Sequence, residues 1–325
     1  GLTPPPTFGT APMLSYIARR LVQTVPVMLI VAVFVFLMLR IGPNDPASIL
    51  AGDNANAEQV AAIRQNLGLD RPLLSQLFVW LGAILTGDFG ESFFFKKQVS
   101  ALILDRLEPT FMLALCTIVL AVVVAVPLGV IAAMRRGSLI DRLVMGFSVM
   151  GFSVPVFVIG YALIYVFAIK LNWLPVQGYS RLADGLPAFL RSIALPSMTL
   201  AIIYVALLAR MTRTSVLEVL GEDYIRTAYS RGLTPLQVLV RHALPNAAVP
   251  IVTVIGLGVA LLIGGVVVTE SVFAIPGLGR LTVDAVLARD FPTIQAIILL
   301  FSFVYVMVNL VIDIAYTFFD PRIRY

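Results

Sequence analysis

The sequence is poor in the residues that build most soluble catalytic and metal sites. Of 325 residues one is Cys and one is His. Cys116 therefore has no partner for an internal disulfide, and His242 has neither a second His nor a Cys set with which to hold a metal or complete a Ser/His/Asp group. Lysine is almost absent. Lys96, Lys97 and Lys170 are the three present, and none follows a Gly, which excludes the Gly-x-x-x-x-Gly-Lys-Ser/Thr loop that cradles phosphates. Charged residues make up 13% of the chain, about half the usual ~25%, and no dense Lys/Arg run suggests a nucleic-acid partner. What the chain has instead is apolar surface: 59% hydrophobic residues and a mean hydropathy of +0.97. A globule of this size needs a polar skin, so the composition excludes an ordinary cytosolic enzyme, a disordered chain and a disulfide-stapled secreted domain. It reads as an integral membrane protein.

A bilayer core of ~30 Å needs about 20 apolar residues in a helix. Six stretches without Asp, Glu, Lys or Arg meet that requirement: 21–39, 109–134, 143–169, 192–209, 243–269 and 291–312. A seventh, 72–87, begins with Pro72, contains Gly82 and is too short to span, so it is expected to pack on the outer face or in the interface. With the N-terminus inside, twelve Arg fall in cytoplasmic segments and eleven Arg or Lys in external ones. Six of those eleven lie in the long first loop, which translocates regardless of charge, so the comparison is twelve against five and places both termini in the cytoplasm.

The expected organisation is a flexible extension (1–12), a first span (13–42) and an extracytoplasmic loop region with short helices (43–108). A core of five spans (109–319) with a cytoplasmic coupling loop (210–245) and a cytoplasmic tail (320–325) completes it. The extension is uncharged and Pro-rich, unlike a signal peptide. In the first loop, Val60, Ala61, Ile63 and Leu67 recur at helical spacing before Gly68 and predict a short helix over 57–67. Gly87-Asp88-Phe89-Gly90 reads as a turn; the Lys, Gly-rich loop and His-Arg-Asp that would make it a kinase motif are missing. Pro276-Gly277-Leu278-Gly279 is a second turn cluster.

The loop from Arg210 to Arg241 is the one long cytoplasmic connection, and its punctuation predicts two helices meeting at an elbow. Val216, Leu217, Leu220, Tyr224 and Ile225 lie at helical spacing, with Gly221 a weak point. Gly232 is placed to close the first helix in the left-handed conformation. Thr234, Pro235 and Gln237 supply the N-cap, first-turn proline and Thr-x-x-Gln capping box of the next.

Glu270, after Gly264-Gly265, is a candidate for a gate or pathway, against the plainer expectation that an acid at a span's outer end reaches water. Pro155, Gly264, Gly265 and Glu270 are taken together as candidate pathway or gate residues. Asp313, with Asn309 one turn earlier, is expected to pair within the bundle. Pro127 and Pro155 are expected to kink their spans, and Gly256 and Gly258 to serve packing against a second subunit.

The run Arg226-Thr227-Ala228, three residues, Gly232, nine residues, His242, Ala243, Leu244-Pro245 resembles the cytoplasmic loop of permease subunits of bacterial ABC importers. That loop reads Glu-Ala-Ala, three residues, Gly, nine residues, Ile, one residue, Leu-Pro. Arg replaces the Glu and His the Ile, with Asp223 one turn earlier as a stand-in acid. Asp223-Tyr224-Ile225-Arg226-Thr227-Ala228 with Gly232-Leu233, Leu69-Asp70-Arg71-Pro72, Gly87-Asp88-Phe89-Gly90 with Ser92, Pro276-Gly277-Leu278-Gly279, Arg289-Asp290, Asn309, Asp313, Tyr316 and Asp320-Pro321-Arg322 are similar to the B-type permease of dipeptide and oligopeptide importers. The resemblance implies an all-α, six-span type I importer fold, with Asp223, Tyr224, Arg226, Thr227, Ala228, Gly232, Leu244 and Pro245 in the loop that couples to the ATPases. It implies a second, C-type permease, two ATPase subunits that bind ATP and Mg²⁺, an extracytoplasmic binding protein and the bacterial inner membrane. No cofactor is expected on this chain. Cargoes within the resemblance include dipeptides, longer peptides, glutathione and nickel chelates. A stand-alone secondary transporter is the competing reading, disfavoured by the lack of acids at mid-span and of inverted halves.

Overall fold

The computed structural model describes residues 10–41, 46–52 and 55–319; most of the 1–12 extension and the 320–325 tail lie outside the described residues. The chain runs α1 (Thr10–Ile41), then three short helices of the first loop, α2 (Pro46–Ala51), α3 (Ala57–Asn66) and α4 (Leu73–Leu85). It continues through α5 (Val99–Met134), α6 (Leu139–Ser153), α7 (Val156–Leu163) with a π-helical extension over Ile164–Lys170, and α8 (Leu186–Leu220). The elbow holds α9 (Asp223–Ser230) and α10 (Pro235–Val238); a π-helical turn (Leu239–Ala243) leads into α11 (Leu244–Val272), followed by α12 (Leu278–Leu287) and α13 (Phe291–Phe319).

Five of the described helices are long and apolar enough to cross a membrane: α1, α5, α8, the α10–α11 run and α13. The sixth expected span, 143–169, is broken. Its arms α6 and α7 meet at 106°, and the six-span count holds when the bent pair is taken as one span. Pro155 causes the break: its ring removes a donor and pushes the preceding residue out of the helical region, and Val154 is extended at φ −98°, ψ 124°. Pro127, by contrast, sits inside α5 without interrupting it. Its helix is held on one side by Ala121, Ala125 and Gly129, where a Cβ on Gly129 would come within 2.6 Å of the Ala209 carbonyl of α8. The α5 helix also starts at Val99 rather than at Pro109, which is buried inside it.

The α8 helix is the axis of the bundle, packed on α5, α6, α7 and α11, with most of its length buried. Two of the three core clusters among the described residues lie around it. One, on the elbow side, joins Ala125, Val130, Val205, Leu208 and Val216; the other, on the outer side, joins Leu113, Phe189, Leu195, Leu200 and Phe273. Gly258 meets α8 directly, since a Cβ there would lie 1.8 Å from the Tyr204 ring, and Gly256 meets Ile312 of α13 in the same way. Both glycines therefore serve packing within this chain, not against a second subunit. Exposed apolar side chains such as Phe111, Val123, Val149, Leu190 and Phe303 form the surface available to lipid.

The short helix expected over 57–67 forms as α3. Asn56 and Gln59, which the sequence reading did not single out, form a reciprocal capping box at its start, and Gly68 follows its end with φ +64°. The seventh apolar stretch is α4, 13 residues long, and it leans on α1 through Trp80 against Phe36 and an Arg40–Gln76 hydrogen bond. Gly87 to Gly90 is a turn closed by the Gly90 amide on Asp88 Oδ1 at 2.9 Å. The expected turn at Pro276-Gly277 forms and leads into a further helix, α12, that the sequence did not indicate.

Candidate functional site: the cytoplasmic elbow

The predicted helical run from Val216 to Ile225 is cut at Gly221, which caps α8, so α9 begins afresh at Asp223. Eight residues long, α9 has two inward side chains, Ile225 and Ala228, both buried. They join Val238, Leu239 and Ala243 in the core cluster formed by the inner ends of α5 and α8. Asp223, Tyr224, Arg226, Thr227, Tyr229 and Arg231 remain exposed. Asp223 and Arg226 pair across one turn at 3.4 Å with both side chains largely in water, an arrangement that orders the surface and adds little stability.

The joint between α9 and α10 follows the sequence punctuation. Gly232 adopts φ +80°, its amide bonds Tyr229 O at 2.9 Å and the Leu233 amide reaches Ala228 O at 3.4 Å, a Schellman closure. Two residues on, Thr234 caps α10: its amide donates to Gln237 Oε1 at 2.9 Å and its hydroxyl accepts the Gln237 amide at 3.4 Å. The helix that starts there continues into the fifth span. Pro245 lacks the amide of a regular α turn and its ring would strike the carbonyl four residues back. The backbone widens just before it, with the Leu244 amide bonding Leu239 O, five residues back. Leu244 is half-buried against the core and Pro245 is exposed. Thus the coupling-loop candidates Asp223, Tyr224, Arg226, Thr227, Ala228 and Gly232 lie together on one short helix and its cap, while Leu244 and Pro245 sit where the rod enters the bundle.

The candidate pathway residues do not converge as a set. Phe152 and Val156, flanking the Pro155 break, share an apolar recess of about 280 Å³ with Leu200, Tyr204 and Gly265. Gly264 is exposed and turned away, with nothing within 4 Å of where its Cβ would be. Glu270 is not hydrated. It has no solvent exposure and accepts hydrogen bonds from Thr110 Oγ1 at 2.5 Å and the Arg280 amide at 2.9 Å, because the Pro276–Gly279 turn folds back over it.

The family model for binding-protein-dependent transport system inner membrane components matches residues 125–325, and the model for the N-terminal part of such components matches 13–114. The chain belongs to this family. A protein of Sinorhizobium fredii named "Probable peptide ABC transporter permease protein" is 52% identical over 310 residues, covering 95% of this chain and 99% of that one. The glutathione transport system permease protein of Salmonella paratyphi A is 43% identical over 313 residues, 96% of this chain and 100% of that one. Among solved structures, the MetNI methionine ABC transporter in inward-facing conformations aligns with a TM-score of 0.55 at 18% identity, over 67% of this chain and 96% of that chain, which shows a shared fold. The chain is a multi-pass inner-membrane permease of the ABC importer type, a transport subunit.

Two features of this permease escape a reading of the sequence. Arg213, counted there only among the cytoplasmic Arg, and Asp141, not singled out at all, form a bidentate pair between α6 and α8 at 2.5 and 2.9 Å. Asp141 is buried and also accepts the Gly137 amide at 2.9 Å. Ser138-x-x-Asp141 has the spacing of a helix cap, and that was the available signal. Asp290 is fully buried. It ties the start of α13 to the first loop, accepting from Ser92 Oγ at 2.5 Å, the Phe93 amide at 2.9 Å and Thr293 Oγ1 at 2.7 Å. Asp313, as expected, pairs within the bundle, with Arg20 of α1 at 3.2 Å.

Proposed function

We propose that this permease forms one half of the pore of an ATP-driven importer for short peptides. In this reading a similar C-type permease forms the other half, two ATPase subunits carry ATP and Mg²⁺, and an extracytoplasmic binding protein delivers the cargo. The chain itself performs no chemistry. Its elbow receives the movement of the ATPases and passes it to the spans. The observation that carries this reading is the form of the elbow: a short helix with an exposed polar face, hooked into the bundle by Ile225 and Ala228, whose second helix is the first turn of a span. A connector that merely joined two spans would need neither the hook nor the continuous helix. Peptide cargo is supported by the printed name of the relative at 52% identity; glutathione, itself a tripeptide, is the second reading, supported by the relatives at 43%.

Uptake by the assembled transporter in vesicles tests the proposal. Arg226→Glu, which reverses the exposed charge and repels Asp223, is expected to abolish accumulation of labelled dipeptide while leaving the permease at its normal level in the membrane. Undiminished uptake by that variant, or uptake by this chain reconstituted alone, overturns it. Competition by unlabelled dipeptide, tripeptide and glutathione then ranks the cargoes.

A further inference from the structure

The α10 helix, the π turn and α11 follow one another without a gap from Pro235 in the elbow to Val272 at the opposite face. The α11 segment alone has 29 residues, about 44 Å of helix at ~1.5 Å per residue. One end of this rod thus lies in the cytoplasmic elbow, and the other carries Glu270.

There the carboxylate performs a task that α12 cannot perform for itself. The first turn of a helix has backbone amides without intrahelical acceptors, usually met by a side chain at the N-cap. The N-cap of α12 is Gly277, which has no side chain to offer. Glu270 of α11 takes that place from outside: its Oε2 accepts the Arg280 amide at 2.9 Å, and its negative charge sits at the favourable end of the helix dipole. Thr110 of α5 completes the cap. Its hydroxyl donates to Glu270 Oε1 at 2.5 Å and accepts the Leu278 amide at 2.7 Å. Gly277 is required for the carboxylate to enter, since a Cβ there would lie 2.1 Å from Glu270 Oε1. Leu278 and Leu281 pack with Val99, Leu102 and Ile103 of α5 and with Ala296 and Ile297 of α13, so the Glu270 cap is the polar tie between the first turn of α12 and the rod. The far end of α12 presents Val286 and Leu287, 53% and 79% exposed, to the outside.

We propose that Glu270 is a positioning residue that makes α12 move with α11, so that a displacement of the elbow reappears on the external face as a displacement of the Val286–Leu287 surface. This inference rests on the coupling role of the elbow proposed above. It assigns no cargo contact to Glu270, whose carboxylate is enclosed by the α12 turn.

Paired spin labels in the complete transporter, with Cys116→Ser as background, test both halves of the statement separately. An inner pair, Leu236→Cys with Leu139→Cys, reports the elbow; an outer pair, Leu287→Cys with Leu190→Cys, reports α12. All four positions are exposed. With the Glu270 background intact, both distances are expected to change when ATP is added. In Glu270→Ala the inner distance is expected to change as before while the outer response is lost. Thr110→Val, which deletes a single hydroxyl and leaves the Glu270–Arg280 bond, and Glu270→Gln, which keeps one acceptor, are each expected to retain part of it. If Glu270→Ala does not assemble with its ATPases, Thr110→Val carries the test. An outer response undiminished in both variants overturns this proposal alone. An inner pair that ignores ATP in the unaltered protein overturns the coupling reading, and this proposal with it.

Discussion

The cytoplasmic elbow and the external end of the bundle are built on opposite plans. At the elbow apolar side chains go inward, Ile225, Ala228, Val238 and Leu239 entering the core, while the charges of Asp223 and Arg226 stay in water; the buried Asp141 at the same end of the bundle is neutralised by Arg213. At the external end the carboxylates go inward. Glu270 and Asp290 are both without solvent exposure, and each is met by amides and hydroxyls from segments distant in sequence. An apolar hook holds a short helix without dictating what its outer face must be, which leaves that face to a partner. A buried carboxylate needs several donors in fixed positions, or its desolvation is uncompensated, so it dictates the shape of every loop that supplies one. The elbow is a surface to be gripped; the external end is a shape to be kept.

That contrast can be broken most sharply at Asp290. Asp290→Ala leaves three donors in a dry site without their acceptor and is expected to lower stability by about 3 kcal/mol or more, seen as a fall in Tm in detergent and as new protease sensitivity in the first loop. Asp290→Asn, retaining one acceptor oxygen, should recover part of the loss. An unchanged Tm for the alanine variant would erase the distinction between the two ends. Ile225→Ala comes next, removing a fully buried side chain at a cost of about 2–3 kcal/mol. Because the loss falls on the hook, ATPase co-purification should weaken while the external loops keep their protease resistance. The smallest effect is expected from Gly232→Ala, where φ of +80° with open space around the Cβ leaves only backbone strain, about 1 kcal/mol; thermal unfolding of the purified protein measures it.

What could be read from the sequence was what is written locally. The short helix before Gly68, the Gly232 closure and the Thr234–Gln237 cap each depend on residues within a few positions of one another, and each stands in the structure as expected. Apolar length located the spans for the same reason. The misreadings all concern partners. Glu270 looked hydrated because its position at a span's end says nothing about α12 folding back over it. Asp141 and Arg213 are 72 residues apart, and Ser92 and Asp290 are 198 apart, distances over which no spacing rule operates. Pro127 and Pro155 show the same limit in one residue type. The first is carried through a helix pressed against α8, while the second, exposed and without such support, parts its span into two arms.

The widened turn at Leu239–Ala243 has a consequence for everything beyond it. A regular helix advances about 100° with each residue, so the additional residue held in this turn sets the rotational phase of the fifth span against the elbow. An ordinary turn would hold one residue fewer over the same rotation, so the wide turn takes up the extra residue ahead of Pro245 and keeps Gly258 facing Tyr204. Removing a residue from the regular helix beyond it would instead swing that face away by roughly a quarter of a revolution. The widened turn is therefore the slack in the screw thread, and a deletion in the helix beyond it should be tolerated far less than a substitution.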